Sequence, residues 1–351
     1  MYETRLPLVT LPAIALYYGP VNKVLEAILE RARRGSAPRK RDDGWTIGLA
    51  IEGGSMRGVV SAGMVTALEQ LELLDCFDIV YGTSAGALNG AYFIARQAAY
   101  GTTIYYEDIN NEHFLDFRRV MRGSPAVSLE YLLDEVMTTR KILDWQAVLQ
   151  SPIPLRVIAS SIHDRRAKVL EDFKSQSELF LALKASARMP AMTGPPVEFR
   201  GDFLVDGSVY EAIPYRSAAP VCSHILALHT RPFGCRVSRG LTERCIVSPW
   251  IRRYNPAMCS DVLGQKVRYR KDLDQLAERT EKGDTAPYIC SIALPVGAEE
   301  VSRTEKRQGT LITGAIAGFK AVCTAFGRDP ALVVSTLHGF NKMGRSFSWQ
   351  E

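Results

Sequence analysis

Two glycine-flanked stretches hold residues able to do chemistry. Gly82-Thr83-Ser84-Ala85-Gly86 has the G-x-S-x-G spacing of a nucleophile elbow, in which small neighbours let a serine occupy a tight strand-to-helix corner with its hydroxyl presented. Upstream, Gly53-Gly54-Ser55-Met56-Arg57-Gly58 follows the apolar run Ile47–Ile51 and leads into a second helical pattern. The amides of such a turn can converge on an anion, including the oxyanion of a tetrahedral intermediate. Either motif alone recurs by chance or simply closes a βα unit. Both, however, fall at strand-to-helix turns of one βαβ stretch, residues 47–90, which puts them at the sheet edge where α/β proteins bind ligands. A nucleotide site fits less well, because G-x-G-x-x-G fails at Ser55 and no G-x-x-x-x-G-K-[ST] follows.

A serine hydroxyl becomes a nucleophile only when a base takes its proton. Asp206 ends the apolar triplet Phe203-Leu204-Val205 and precedes Gly207, so it can project from the same sheet edge as Ser84. The rival is a Ser, Asp, His order using His224, His229 or His338. His224 and His229 bound the internal-strand pattern HILALH, the usual setting of a structural histidine, and His338 stands in a C-terminal stretch with no other signal. Asp206 is therefore expected to act directly on Ser84, without histidine. No metal or other cofactor is expected, since no ligand cluster with zinc or calcium spacing is present.

The elements that must position these residues follow from the rest of the pattern. Further strands are expected at Leu155–Ser160, Phe203–Val205, His224–His229 and Tyr288–Leu294. Helices are expected at Val21–Ala32, at Leu129–Met137 after an N-cap at Ser128, and at Ser177–Ser186. Strands alternating with helices predict an α/β fold, its largely parallel central sheet covered by helices on both faces, with N- and C-terminal helical additions. Residues 1–44 read as an N-terminal helix and a solvated basic linker, 45–220 as the catalytic core, and 221–351 as the part completing it. The segment Gly309–Gly327 is mostly apolar, but Lys320 lies inside it, so a packed cover helix is preferred to a membrane span.

A net charge of +5 on 351 residues favours anionic surfaces without requiring nucleic acid, for which no motif is present. The seven cysteines are scattered, odd in number and without C-x-x-C spacing, which predicts reduced thiols and a cytoplasmic setting. The N-terminal apolar run Leu6–Tyr18 is broken by prolines and too short to span a bilayer.

These residues carry a resemblance over roughly Ile47–Pro214 to the patatin-like phospholipases, lipid acyl hydrolases with a Ser-Asp dyad. It rests on the loop Gly53–Gly58 with its Arg57, the elbow GTSAG, and Asp206-Gly207, with Ala185-Ser186 through Met189-Pro190, Pro195-Pro196-Val197 and Pro214 between and after them. The resemblance implies Ser84 as nucleophile, Asp206 as base, and an oxyanion held by amides around Gly54, Ser55 and Met56, with Ala85. Two positions depart from the family pattern: Ser55 stands where a third glycine is usual, a steric cost if that position needs positive φ, and Ser208 replaces a Gly or Ala. Arg57 has two open roles, assisting the oxyanion or holding a structural ion pair beneath the loop.

The expected activity is hydrolysis of carboxylic-ester bonds in phospholipids or acylglycerols. A lipid acyltransferase using the same dyad is the nearest rival, and a lipid-binding module with reduced turnover the rival of another class. The partner would be lipid at a membrane or micelle surface. The basic, aromatic stretches Trp250–Tyr254 and Lys266–Lys271 are candidates for meeting anionic headgroups.

Overall fold

The computed structural model describes residues 22–235 and 241–330; the N-terminal apolar run and His338 lie outside them. Helix α1 (Lys23–Arg34) opens the described chain and turns Val24, Leu25 and Ile28 inward, as the apolar spacing predicts. The basic stretch 31–41, which overlaps its last turn, is exposed over most of its length as expected of a solvated linker, but two of its arginines turn inward. Arg31 is buried and bonds the Asp43 and Asp78 carboxylates and the Cys76 and Trp45 carbonyls, while Arg41 pairs with Asp78 at 2.8 Å. Two cations that looked like solvent contacts instead tie α1 to the entry of the sheet. Desolvating a guanidinium is tolerable only because nearly every donor finds a partner.

Strand β1 (Ile47–Ile51) is buried throughout, and β2 (Ile79–Thr83) pairs with it in parallel. Between them runs α2 (Val59–Gln70), and β2 leads into α3 (Ala85–Ile94) and α4 (Ala98–Glu107). A helix wound with π turns, Tyr131–Arg140, receives the expected cap from Ser128, whose Oγ accepts the Tyr131 amide at 3.1 Å. It is followed by α5 (Trp145–Gln150) and β3 (Leu155–Ser161).

Beyond β3 come β4 (Arg166–Leu170), α6 (Gln176–Ser186), β5 (Val197–Phe199), β6 (Asp202–Asp206) and α7 (Tyr215–Ala218). The chain continues with β7 (His224–Leu228), α8 (Ser248–Ile251), α9 (Met258–Lys282), β8 (Tyr288–Ile292) and α10 (Gln308–Ala325). The sheet runs β5-β6-β3-β2-β1-β7-β8, with β4 on the other edge of β3. Pairs among β3, β2, β1, β7 and β8 are parallel, whereas β4, β5 and β6 run antiparallel to their neighbours.

One detail of this topology makes the site. Strand β2 covers β3 as far as Ile158, opposite Thr83, and β6 takes over at Ala159, opposite Asp206. Since β4 occupies the other edge of β3 over the same residues, β2 and β6 must share one edge and meet end to end. Thr83 and Asp206 therefore arrive at adjacent positions from opposite directions.

Helix α10 is the cover helix expected of the apolar C-terminal segment, and no helix among the described residues is long and apolar enough to cross a membrane. It crosses α2 so closely that a Cβ at Gly318 would stand 2.1 Å from the Val60 carbonyl oxygen. We expect Gly318→Ala to lower stability by about 1–3 kcal/mol through overpacking. Gly309→Ala, with open space around its position, should be neutral or gain up to about 1 kcal/mol. Urea unfolding of the two variants checks the pair, and equal midpoints would contradict the packing account.

Candidate active site

Ser84 follows the last residue of β2 and caps α3, with φ 55° and ψ −128°. Such a conformation costs a non-glycine residue on the order of 1–3 kcal/mol and persists only when its surroundings impose it. They do so here by two contacts. The Ser84 amide donates to Ser186 Oγ at 2.8 Å, and that hydroxyl donates onward to the Ile158 carbonyl on β3 at 2.6 Å. On the other side Gly86 lets α3 close onto β1, since a Cβ there would fall 2.3 Å from the Ile51 carbonyl oxygen. Gly82 and Gly207 are likewise pressed against neighbouring backbone.

The Asp206 carboxylate is buried, and Ser84 lies close enough to it to help hold its pKa down. Burial raises the Asp206 pKa above the ordinary aspartate value; the amide of Ser208, donating at 2.8 Å, the Ser84 hydroxyl and the charge of Arg303 oppose that shift. Ser208, the departure from the usual small apolar residue, thus supports the carboxylate through its backbone. Its carbonyl is held by Gln265 Nε2 at 2.7 Å.

The loop Gly53–Gly58 lies across Ser84. Gly53 abuts Thr83 and Ser84, and Ser55 sits at φ 54°, so the serine found in place of glycine carries the steric cost anticipated for it. Among the described residues the amides of Gly54, Ser55 and Ala85 have no protein acceptor, whereas the Met56 amide points to the Arg303 carbonyl at 3.4 Å and that of Arg57 to the Gly54 carbonyl at 3.1 Å. Of the amides expected to hold an oxyanion, those of Gly54, Ser55 and Ala85 are thus left without a protein acceptor, and that of Met56 is not. Ala85 opens a ten-residue helix, whose dipole adds to the effect.

Arg57 is buried beneath the loop, where Nε donates to Thr230 Oγ1 at 3.0 Å and Nη1 to Glu300 at 3.0 Å, the ion-pair role of the two left open. Glu52, immediately before the loop, accepts from the Thr230 amide and the Tyr269 hydroxyl, each at 2.6 Å. Tyr269 is therefore bound within the protein rather than at a headgroup surface, and Arg268 beside it donates to the Val209 carbonyl. Within Trp250–Tyr254, Ile251 is buried and Trp250 packs on Tyr254. Sequence reasoning missed Glu52, Thr230, Ser186 and Tyr269. Only Ser186 had a signal, its place in the Ala185-Ser186 block.

The histidines lie elsewhere. His224 bonds Ser223 and packs against Trp45 and Tyr288; His229 faces Ser291 at 3.1 Å; neither borders the cavities around Ser84. Burial pushes both imidazole pKa values down. Among the described residues no group of three or more His, Cys, Asp or Glu side chains is arranged to hold a metal ion.

Ser84 borders two cavities of different character. One, of about 530 Å³, is walled by Leu88, Tyr92, Ile104, Phe114, Leu129 and Met137. The other, of about 590 Å³, also contains Asp206 and is lined by Arg57, Arg231, Lys266 and Arg303 along with Glu52 and Glu243. Ser84 thus stands between an apolar wall and a polar, charged one.

Residues 49–219 match the family model of the patatin-like phospholipases. The chain is 27% identical over 180 residues to the uncharacterized protein YjjU of Escherichia coli (strain K12), an alignment covering 49% of this chain and 48% of that protein, so the chain spans about half the length of this relative. Two solved structures are similar only loosely. VipD from Legionella pneumophila has a TM-score of 0.39 and 10% identity over 81% of this chain and 67% of its own; the type III effector protein ExoU has a TM-score of 0.31 and 12% identity over 86% and 61%.

Removing the Ser186 hydroxyl would leave the buried Ser84 amide without an acceptor. We expect Ser186→Ala to lower stability by about 1–3 kcal/mol, read from the shift of the urea midpoint at unchanged slope. An unshifted midpoint would mean that Ser186 does not hold the elbow.

Proposed function

We propose, from the match of residues 49–219 to the patatin-like phospholipase model, that this protein hydrolyses carboxylic esters of lipids at Ser84. The observation that carries this reading is the position of Ser84, close to the buried Asp206 carboxylate and on the wall of both an apolar and a polar cavity. A lipid ester needs those two environments on either side of its carbonyl.

In the first step Ser84 Oγ bonds to the carbonyl carbon while its proton passes to Asp206. The carbonyl π pair moves onto oxygen, and the amides of Gly54, Ser55 and Ala85 receive the negative charge; each preorganised donor of this kind is worth on the order of 3 kcal/mol in the transition state. The intermediate then collapses, the bond to the alcohol oxygen breaks, and Asp206 returns the proton to the departing alcohol. Water attacks the acyl-Ser84 ester by the same route, its proton taken by Asp206, and the fatty acid leaves as Ser84 Oγ is reprotonated. Lipid would reach the site from a membrane or micelle surface. If an alcohol replaced water in the second half, the same groups would transfer the acyl chain instead.

A direct Asp base has a kinetic signature. Asp206→Asn keeps the size but removes the proton acceptor, so ester turnover should fall on the order of 10³-fold, and Ser84→Ala should abolish it. Folded His224→Ala or His229→Ala should retain activity, and a thousandfold loss in either would give the base role to histidine.

The pH profile has a defined direction. Protonated Asp206 cannot accept the serine proton, so kcat/KM rises with pH through its pKa, and burial sets that limb above the unperturbed value of about 3.9. A limb at or below that value would contradict a buried Asp206 base.

A further inference from the structure

An exposed Leu or Val standing singly calls for no explanation, but a cluster of large apolar side chains in solvent does. The segment between Phe114 and Val127 carries such a cluster. Both of these end residues are buried in the wall of the apolar cavity beside Ser84. They are clasped by an antiparallel bridge from Leu115 to Val127, with the Ser128 amide on the Phe114 carbonyl at 2.8 Å and the Asp116 amide on the Ala126 carbonyl at 2.9 Å. The tip is a 3₁₀ helix, Phe117–Arg122, of which no residue is buried; Asp116 caps its start by accepting the Arg118 amide, and Gly123 ends it at φ 74°. Phe117 is 54%, Val120 55% and Met121 85% exposed. At three residues per turn Phe117 and Val120 share one face, and Arg119 and Arg122 share the next.

Charge indicates what this tip would meet. Residues 117–125 contain three arginines and no acid. Arg118 is taken up by Asp116 at 3.0 Å and by Glu112. Arg119 donates to the backbone carbonyls of Glu112 and His113, and Arg122 stands exposed with no ion pair among the described residues. Apolar side chains flanked by cations suit the boundary between the headgroup and acyl layers of an anionic bilayer. The roots of the segment favour lipid for a second reason: Phe117 follows Phe114 by three positions, so a bilayer that takes up the tip lies beside the wall of the apolar cavity. We propose that the tip at residues 117–122 is the surface by which this protein docks on anionic bilayers, with Phe117, Val120 and Met121 entering the interface and Arg119 and Arg122 meeting headgroups. This rests on the reading of the protein as a lipid-ester hydrolase, and binding tests it apart from turnover.

Binding is measured on the full chain carrying Ser84→Ala, which leaves lipid intact, by co-sedimentation with vesicles of phosphatidylcholine alone or mixed in equal parts with phosphatidylserine. The mixed vesicles should be bound more tightly, and less so as salt is raised. Adding Phe117→Ser, Val120→Ser and Met121→Ser together should weaken binding at least about tenfold. Arg119 also ties the turn to neighbouring carbonyls, so charge is tested at Arg122. Arg122→Glu should weaken binding to the mixed vesicles about fivefold or more and leave binding to neutral ones nearly unchanged. Equal binding with and without the substitutions would overturn the docking surface. Failure to bind either vesicle would assign the face to a protein partner and equally overturn it. So would self-association dissolved by the triple substitution in a chain that ignores vesicles, which would give the face to a second copy.

With Ser84 restored, both variants should turn over water-soluble p-nitrophenyl butyrate at the wild-type rate, and phospholipid in mixed vesicles at least about fivefold more slowly. An equal loss on both substrates would make the tip a support of the cavity wall and overturn its docking role. Should neither ester be hydrolysed by the wild type, the nucleophile reading fails, and vesicle binding still decides the surface: loss in the triple variant and in Arg122→Glu would support it, and unchanged binding would reject it.

Discussion

The backbone corner at Ser84 is the constraint on which the rest of the structure depends. A serine at φ 55° is unfavourable by itself, and it stays there because three pieces of the fold close around it. Strand β2 delivers it, Ser186 at the end of α6 holds its amide, and α3 presses through Gly86 against β1. The strain is local, while what opposes it is distributed over residues far apart in sequence. That distribution explains why the centre of the sheet is so thoroughly apolar: a corner of this kind needs rigid walls, and β1 and β2 are buried at every position.

The same junction sets the electrostatics. Because β6 meets β2 end to end along β3, Asp206 is brought to the serine without a histidine between them, and its burial keeps the carboxylate basic. Opposing charge comes from Arg57, Arg231 and Arg303, which line the polar cavity together with residues 53–55 of the loop. The site is thus polarised, with an apolar wall on one side of Ser84 and a charged, arginine-rich one on the other. Glu52 stabilises the boundary, joining the first residues of the loop to Thr230 and, through Tyr269, to α9.

Much of this was legible in the sequence, and the reasons differ by residue. The apolar runs Ile47–Ile51 and His224–Leu228 are buried on both faces, and such strands read clearly between glycines and turns. Strands Arg166–Leu170 and Val197–Phe199 were not foreseen, because the first buries only Leu170 and the second spans three residues between Pro196 and Arg200. Asp206 could be picked out by the Asp-Gly following an apolar triplet, although nothing in that pattern gave the antiparallel pairing of its strand with β3. In the basic segment 31–41, largely exposed as its composition suggests, the inward turn of Arg31 and Arg41 could not be read, since charge density alone does not reveal that Asp43 and Asp78 lie within reach in space. Arg231, Arg303 and Tyr269 had no local pattern at all; the loops after β7 and β8, and helix α9, bring them to the loop at residues 53–58.

The central claim is that Ser84 is the nucleophile and Asp206 its direct base. The most direct measurement is covalent labelling of the full chain with an alkyl fluorophosphonate, followed by intact-mass analysis and peptide mapping. A single adduct on the peptide carrying Ser84 is predicted, forming at least about a hundredfold more slowly in Asp206→Asn. An ester-hydrolysing protein labelled at another residue, or one labelled at the wild-type rate in Asp206→Asn, would contradict the account.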